Sequence, residues 1–239
     1  MRGSTAVLFA PPLLHEQPRS RRFVTEVASG LAALGLPCLR FDFFGTGDSA
    51  GASEQLDFDS MSADLSLAAR ALRQHTGAER IAVLAWRASS LVLWHWALGG
   101  GDASRLIFWE PLSDGAQWLA KLEHDDASER CSPDRYPLMH GQGAVAGDRQ
   151  LMGFTVSQQL RGDLSSARLA GDGRLGDVPL WAVLRPGEPE PPLPISRSFA
   201  LPASAPEFGS STRMDATMFV TPRLQQVVDE LGRALVAET

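Results

Sequence analysis

Lysine, cysteine and tyrosine are almost missing from this chain, and long apolar runs are missing altogether. Lysine occurs once, at Lys121, so nearly all positive charge is arginine, which reads as the composition of a GC-rich genome and not as mechanism. The two cysteines, Cys38 and Cys131, form no motif. They support no disulfide framework, Cys38 reads as a small core residue, and a reducing cytoplasm suits the chain. No apolar run approaches the ~20 residues that a membrane span requires. Met1 to Ala10 carries no adequate apolar core for a signal peptide, so none is expected. A surplus of positive charge is also lacking. The formal net charge is -6, which disfavours binding to a phosphate backbone. The basic cluster Arg19, Arg21 and Arg22 reads as the solvated start of a helix.

What is present is an ordinary globular composition, 44% hydrophobic and 21% charged over 239 residues, enough for one domain with a full core. Short apolar runs alternate with helical periodicity. Thr5–Ala10 reads as a buried strand ended by Pro11 and Pro12. Ser20–Leu34 reads as a helix with Phe23, Val27, Leu31 and Leu34 on one face, stopped by Gly35 and Pro37. Cys38–Phe43 is the next strand, followed by a glycine-rich loop through Gly51 and a helix from Asp59 or Ser60 to about His75. Arg80–Leu84 and Arg105–Trp109 are further strands, separated by a helix from Ala88 to Leu98. This alternation predicts a mostly parallel α/β sheet with crossover helices. Residues 112–172 are polar, lean towards helix and are weakly periodic, and read as a lid or cap inserted into a single domain spanning 1–239. Val178–Leu184 returns as a strand, Pro186–Pro194 as an extended loop and Ile195–Leu201 as a last strand. Thr221-Pro222 then opens an amphipathic closing helix.

A strand, sharp turn and helix at residues 80–98 is where an α/β-hydrolase places its nucleophile, in a G-x-S-x-G motif whose small residues permit a strained turn. The five positions here are Ala85-Trp86-Arg87-Ala88-Ser89. Arginine stands where serine should be, and a guanidinium stays protonated and cannot accept an acyl group. A literal match at Gly47-Asp48-Ser49-Ala50-Gly51 lies in a loop with no helix directly behind Ser49, so a tight turn accounts for it better. The general base should be a histidine near the C-terminus, after the acid. The histidines are His15, His75, His95, His124 and His140, and none is late enough. Glu188 and Glu190 occupy the acid region without a partner. A displaced nucleophile at Ser89 or Ser90 with His95 is conceivable by helical spacing. The plainer reading is close helix packing at the serines and a partly buried His95. His124 and His140 with Asp125, Asp126 and Asp134 match no metal spacing, and neither a metal nor a cofactor is implied. Trp86 and Trp109, at strand C-terminal ends, are placed to line an apolar pocket where open α/β sheets bind ligands.

Three further runs carry a family resemblance. They are Pro11-Pro12-Leu13-Leu14-His15-Glu16, then Ser20-Arg21-Arg22, then Phe41 to Gly51 (Phe-Asp-Phe-Phe-Gly-Thr-Gly-Asp-Ser-Ala-Gly). With Leu106 to Gly115, and more faintly Leu151 to Phe154 and Met218 to Pro222, they make the chain resemble the α/β-hydrolases associated with the exosortase A system, which accompany bacterial exopolysaccharide and protein-sorting loci. The resemblance implies an α/β-hydrolase fold, a hydrolase label and an oxyanion loop at Leu13 and its neighbours. Two departures matter. Arg87 stands at the nucleophile position, and the chain begins directly on a central strand, without the N-terminal hairpin that relatives place before it.

The residues therefore lead to a degenerate hydrolase, a pseudoenzyme, that binds a small anionic or apolar ligand or a protein partner. The candidate pocket is Arg87, Trp86, Ala88, Leu13 and Trp109. Arg87 at a helix N-terminus suits a carboxylate or phosphate. The alternative for the same residue is an ion pair with a nearby carboxylate that plugs the old pocket. The competing function is an esterase or acyl hydrolase with a displaced nucleophile, Ser89, Ser90 or Ser49.

Overall fold

The strands predicted from the apolar runs form one parallel sheet. The computed structural model describes residues 4–130, 150–171, 175–207 and 219–238. Its six-stranded sheet contains β1 (Thr5–Ala10), β2 (Cys38–Arg40), β3 (Arg80–Trp86), β4 (Arg105–Trp109), β7 (Leu180–Leu184) and β8 (Ile195–Ala200), in the order β2-β1-β3-β4-β7-β8. Every pairing in it is parallel. The helices are α1 (Glu16–Ala33), α2 (Phe58–Thr76), α3 (Ser89–Leu98), α4 (Gly115–Arg130), α5 (Gln158–Ser166) and α6 (Pro222–Ala237). A small antiparallel pair, β5 (Gln150–Leu151) and β6 (Phe154–Thr155), precedes α5.

The central strands are apolar beyond their first residues, Thr5, Arg80 and Arg105, because both faces are covered. Along β3, Ile81, Val83 and Ala85 join the core beneath α2 and α3, while Ala82, Leu84 and Trp86 join the core beneath α1 and α6. β1 and β4 alternate in the same way, so the period of two sorts each strand into two cores.

Local chemistry explains where the elements begin and end. Helix α1 starts at Glu16, four residues before the Ser20 start expected from the sequence. Pro18 falls in the first turn, where an amide hydrogen has no helical partner to lose. Ser20 does not cap; its hydroxyl donates to the Glu16 carbonyl at 2.7 Å. Strand β2 stops at Arg40 instead of Phe43. Beyond it the Asp42 carboxylate accepts from Gln17 Nε2, Arg21 Nη2 and the Asp48 amide, which folds the glycine-rich loop back on α1. Asp57 caps α2 by accepting from the Ser60 amide at 2.7 Å, and Thr221 caps α6 with Pro222 behind it.

The segment read as a lid holds α4, the β5–β6 pair and α5. Leu160 and Leu164 of α5 and Trp118 and Leu122 of α4 share the core that contains Leu91 of α3. Gly115 packs so closely on α5 that a Cβ there would lie 2.1 Å from the Leu164 carbonyl oxygen. Cys131, Asp134 and His140 lie outside the described residues. No helix among the described residues is long and apolar enough to cross a membrane.

Candidate functional site at the strand ends

Four charged residues follow four neighbouring strands at the C-terminal edge of the sheet. Glu16 closes the loop after β1, Arg87 follows β3, Glu110 follows β4 and Arg185 follows β7. Because β1, β3, β4 and β7 are consecutive in the sheet, the charges run minus, plus, minus, plus across its edge. The backbone fixes this row. Arg87 N donates to the Trp109 carbonyl at 3.0 Å, and Glu110 N donates to the Val183 carbonyl at 2.8 Å.

Three of these loops pass through left-handed backbone at a non-glycine residue: Leu14 at φ +50°, Arg87 at φ +48° and Glu110 at φ +45°. Such conformations cost roughly 1–3 kcal/mol each and gather at functional sites. At Arg87 the strained turn is the nucleophile elbow itself, a strand ending at Trp86 and a helix starting at Ser89. The turn thus has the strand–turn–helix shape expected of an elbow, with an arginine at its centre.

The side chains pair along the row. Arg87 Nε donates to Glu16 Oε1 at 3.2 Å, with Glu16 fully buried and the Arg87 side chain 15% exposed. Arg185 Nε and Nη2 both reach Glu110 Oε1 at 2.8 Å, and the two Nη groups of Arg185 also hold the carbonyls of Ala205 and Pro206. Burial pushes the Glu16 and Glu110 carboxyls up, against the opposing pull of Arg87 and Arg185 respectively. At Arg87, burial lowers the pKa but the Glu16 and Glu110 carboxylates outweigh it, so the guanidinium is held still more firmly protonated. His15 is pushed down to about 4 by burial, helped by Arg19 and Arg87, and is neutral near neutral pH. Lys121 and Asp125 of α4 also act on His15 electrostatically.

The predicted site residues fare unequally. Arg87 and Ala88 sit at the elbow, and Leu13 lies in the loop after β1 with its carbonyl accepting from the Glu16 amide at 3.2 Å. Trp86 and Trp109 require a correction. Both indoles are completely buried, tilted together at 5.8 Å, with Phe9 stacked on one and Phe23 edge-on to the other. Among the described residues they pack into the core beneath α1, away from solvent. The period of two accounts for this, since residues just before the turn still obey the strand's alternation.

The displaced serines are placed no better for catalysis. Ser89 and Ser90 are fully buried in the first turn of α3, and Ser89 Oγ is committed to the Trp86 carbonyl at 2.6 Å. His95 lies on the outer side of that helix, half-exposed, with Nε2 at 3.3 Å from Asp59 Oδ1. Ser49 donates to the Asp42 carbonyl at 2.6 Å inside the glycine-rich loop. Among the described residues no group of three His, Cys, Asp or Glu side chains could hold a metal ion.

Sequence reasoning missed His15 and Glu16 as site residues, and it missed Glu110 and Arg185. The signal was available: each of Arg87, Glu110 and Arg185 stands directly behind the apolar end of a strand, where a charge must find a partner.

Comparison with solved structures agrees with this topology. DcsB, solved in complex with its substrate analogue, aligns at a TM-score of 0.58 and 14% identity over 99% of this chain and 92% of that one. The fold is that of the α/β-hydrolases. Est1E from Butyrivibrio proteoclasticus, solved with ferulic acid, aligns at a TM-score of 0.56 and 15% identity over 98% of this chain and 90% of its own. The α/β-hydrolase GrgF from a Penicillium species aligns at 0.51 and 15% identity over 77% and 73%. Neither a family model nor a curated protein sequence matches the chain.

Proposed function

We propose that this chain is a non-hydrolysing member of the α/β-hydrolase fold that acts by binding, in the exosortase and exopolysaccharide setting implied by its loop motifs. One observation carries the proposal. The residue held in the strained elbow is Arg87, and its Nε is locked to the buried Glu16. A working elbow presents a hydroxyl to a histidine. This one presents a cation to a carboxylate, which supports the plugged-pocket reading of Arg87 over a free anion receptor. An incoming anion would also meet Glu110 and Glu188, whose charges already act on Arg87.

The reading is tested by turnover of short-chain p-nitrophenyl esters by the wild type, Arg87→Ser and Ser89→Ala. No turnover by any of the three is expected, since Arg87→Ser restores a hydroxyl but no base. Turnover by the wild type that disappears in Ser89→Ala would overturn it. The displaced-nucleophile reading is not favoured at Ser89 or Ser49, whose hydroxyls are spent on backbone carbonyls, while Ser90 Oγ is fully buried and without a hydrogen-bond partner among the described residues.

A further inference from the structure

Helices α2 and α3 lie side by side and run in the same direction, and three contacts tie them together in order. His95 Nε2 stands 3.3 Å from Asp59 Oδ1, Trp96 Nε1 donates to Ser66 Oγ at 2.8 Å, and Arg73 Nη1 stands 2.9 Å from Asp102 Oδ2. An open groove of about 490 Å3 runs between them, lined in part by the small residues Ala63, Ser66 and Gly99. Leu67 directly follows Ser66, and Leu98 directly precedes Gly99. Helical spacing turns them outward, one on each bank of the groove. They are the most exposed large apolar side chains among the described residues, at 58% and 55%. A lone exposed leucine needs no explanation, but two on adjoining helices beside a groove make a patch.

The charges around the groove are complementary to themselves. Along α2 the order is Asp59, then Arg70 and Arg73, with Asp59 and Arg73 about 21 Å apart at the helical rise. Along α3 and the turn behind it the order is reversed, His95 and then Asp102. Leu67 and Leu98 fall between the charged ends on both lines. A twofold axis lying across the two helices at the level of these leucines sets each helix antiparallel on its own copy. Asp59 then faces the partner's Arg73, His95 faces the partner's Asp102, and the leucines meet at the centre. Arg70, which has no hydrogen bond or ion pair among the described residues, comes within a helical turn of the partner's Asp59. An unrelated protein would have to match this pattern independently, whereas a second copy matches it by symmetry.

We propose that the outer face of α2 and α3 is a homodimer interface, on which a second copy of this chain packs antiparallel about a twofold axis near Leu67 and Leu98. The inference concerns a face of the molecule separate from the strand-end row and does not depend on whether the elbow hydrolyses anything.

Sedimentation of the full-length protein over a concentration series tests it. The wild type should pass from one copy to two with a dissociation constant at or below about 50 μM. Leu67→Glu and Leu98→Glu should each weaken association at least tenfold while the thermal midpoint of the monomer stays in place, because both positions are exposed. Asp59→Arg should also weaken it by setting like charges face to face. Combining Asp59→Arg with Arg73→Asp should restore it, since the antiparallel register pairs these two positions with each other. A wild type that stays monomeric up to about 200 μM would overturn the proposal. A dimer indifferent to both leucine substitutions would place the contact elsewhere and overturn it as well. A doubly charge-swapped protein that remains monomeric would refute the antiparallel register, and with it the interface as proposed.

Discussion

Arg87 Nε and Glu16 Oε1 stand 3.2 Å apart and join the turn after β3 to the loop after β1. In a working hydrolase of this fold, those two loops carry the nucleophile and an oxyanion-hole donor. Here they are tied to each other by an ion pair whose carboxylate is wholly buried. Breaking such a pair from one side strands a charge, which costs about 3–5 kcal/mol. Arg87→Met and Glu16→Gln should each lower the unfolding free energy by that order in urea titrations. The double substitution should cost clearly less than their sum. Additive losses would show that the two groups do not act as a pair.

The elbow backbone makes a separate prediction. At φ +48° a side chain is strained and glycine is not. Arg87→Gly should therefore be more stable than Arg87→Ala by roughly 1 kcal/mol, reversing the usual order of these two residues. Both variants lose the same ion pair, so the comparison isolates the backbone. Equal stability would mean that the turn had relaxed out of the left-handed region.

His15 sets the response to acid. Its pKa falls from 6.5 in the unfolded chain to about 4 in the fold. Between those values the unfolded state binds the proton and the native state does not, so the contribution is whole above about pH 6.5 and is lost as pH falls towards 4. Glu16 and Glu110 have raised pKa values and the opposite sign: protonation relieves the cost of burying their charge. The difference in stability between wild type and His15→Gln should shrink on acidification by up to about 3 kcal/mol across that window. A difference independent of pH would remove His15 from the account.

Gly115 should tolerate no side chain. A Cβ would sit 2.1 Å from the Leu164 carbonyl, a backbone atom that cannot rotate away. Gly115→Ala should cost about 1–3 kcal/mol through overpacking and should loosen α4 from α5, seen as earlier proteolysis in this segment. An unchanged cleavage pattern would place the two helices further apart.

The sheet was legible in the sequence because the central strands are short apolar runs and helices such as α2 and α6 carry periodic apolar faces. Thr221-Pro222 and Arg105–Trp109 were read to the residue. Boundaries failed where tertiary contacts intervened: Pro18 was absorbed into the first turn of α1, and Asp42 pulled the chain away from β2. At the site, the sequence gives the substitution at Arg87 and nothing of its partner. Glu16 lies 71 positions away and meets Arg87 only because β1 and β3 are neighbours in the sheet. The two tryptophans were misread because a strand-end position says where a residue is, while its parity says which way it faces.

The most direct test of the central claim is intact-mass analysis of the folded wild-type protein after treatment with a fluorophosphonate that labels activated serines. The account predicts an unmodified mass, with Arg87→Ser equally unreactive for want of a histidine base. A single stoichiometric adduct on the wild type, mapped to Ser89, Ser90 or Ser49, would contradict it and return the chain to the hydrolases in chemistry as well as in fold.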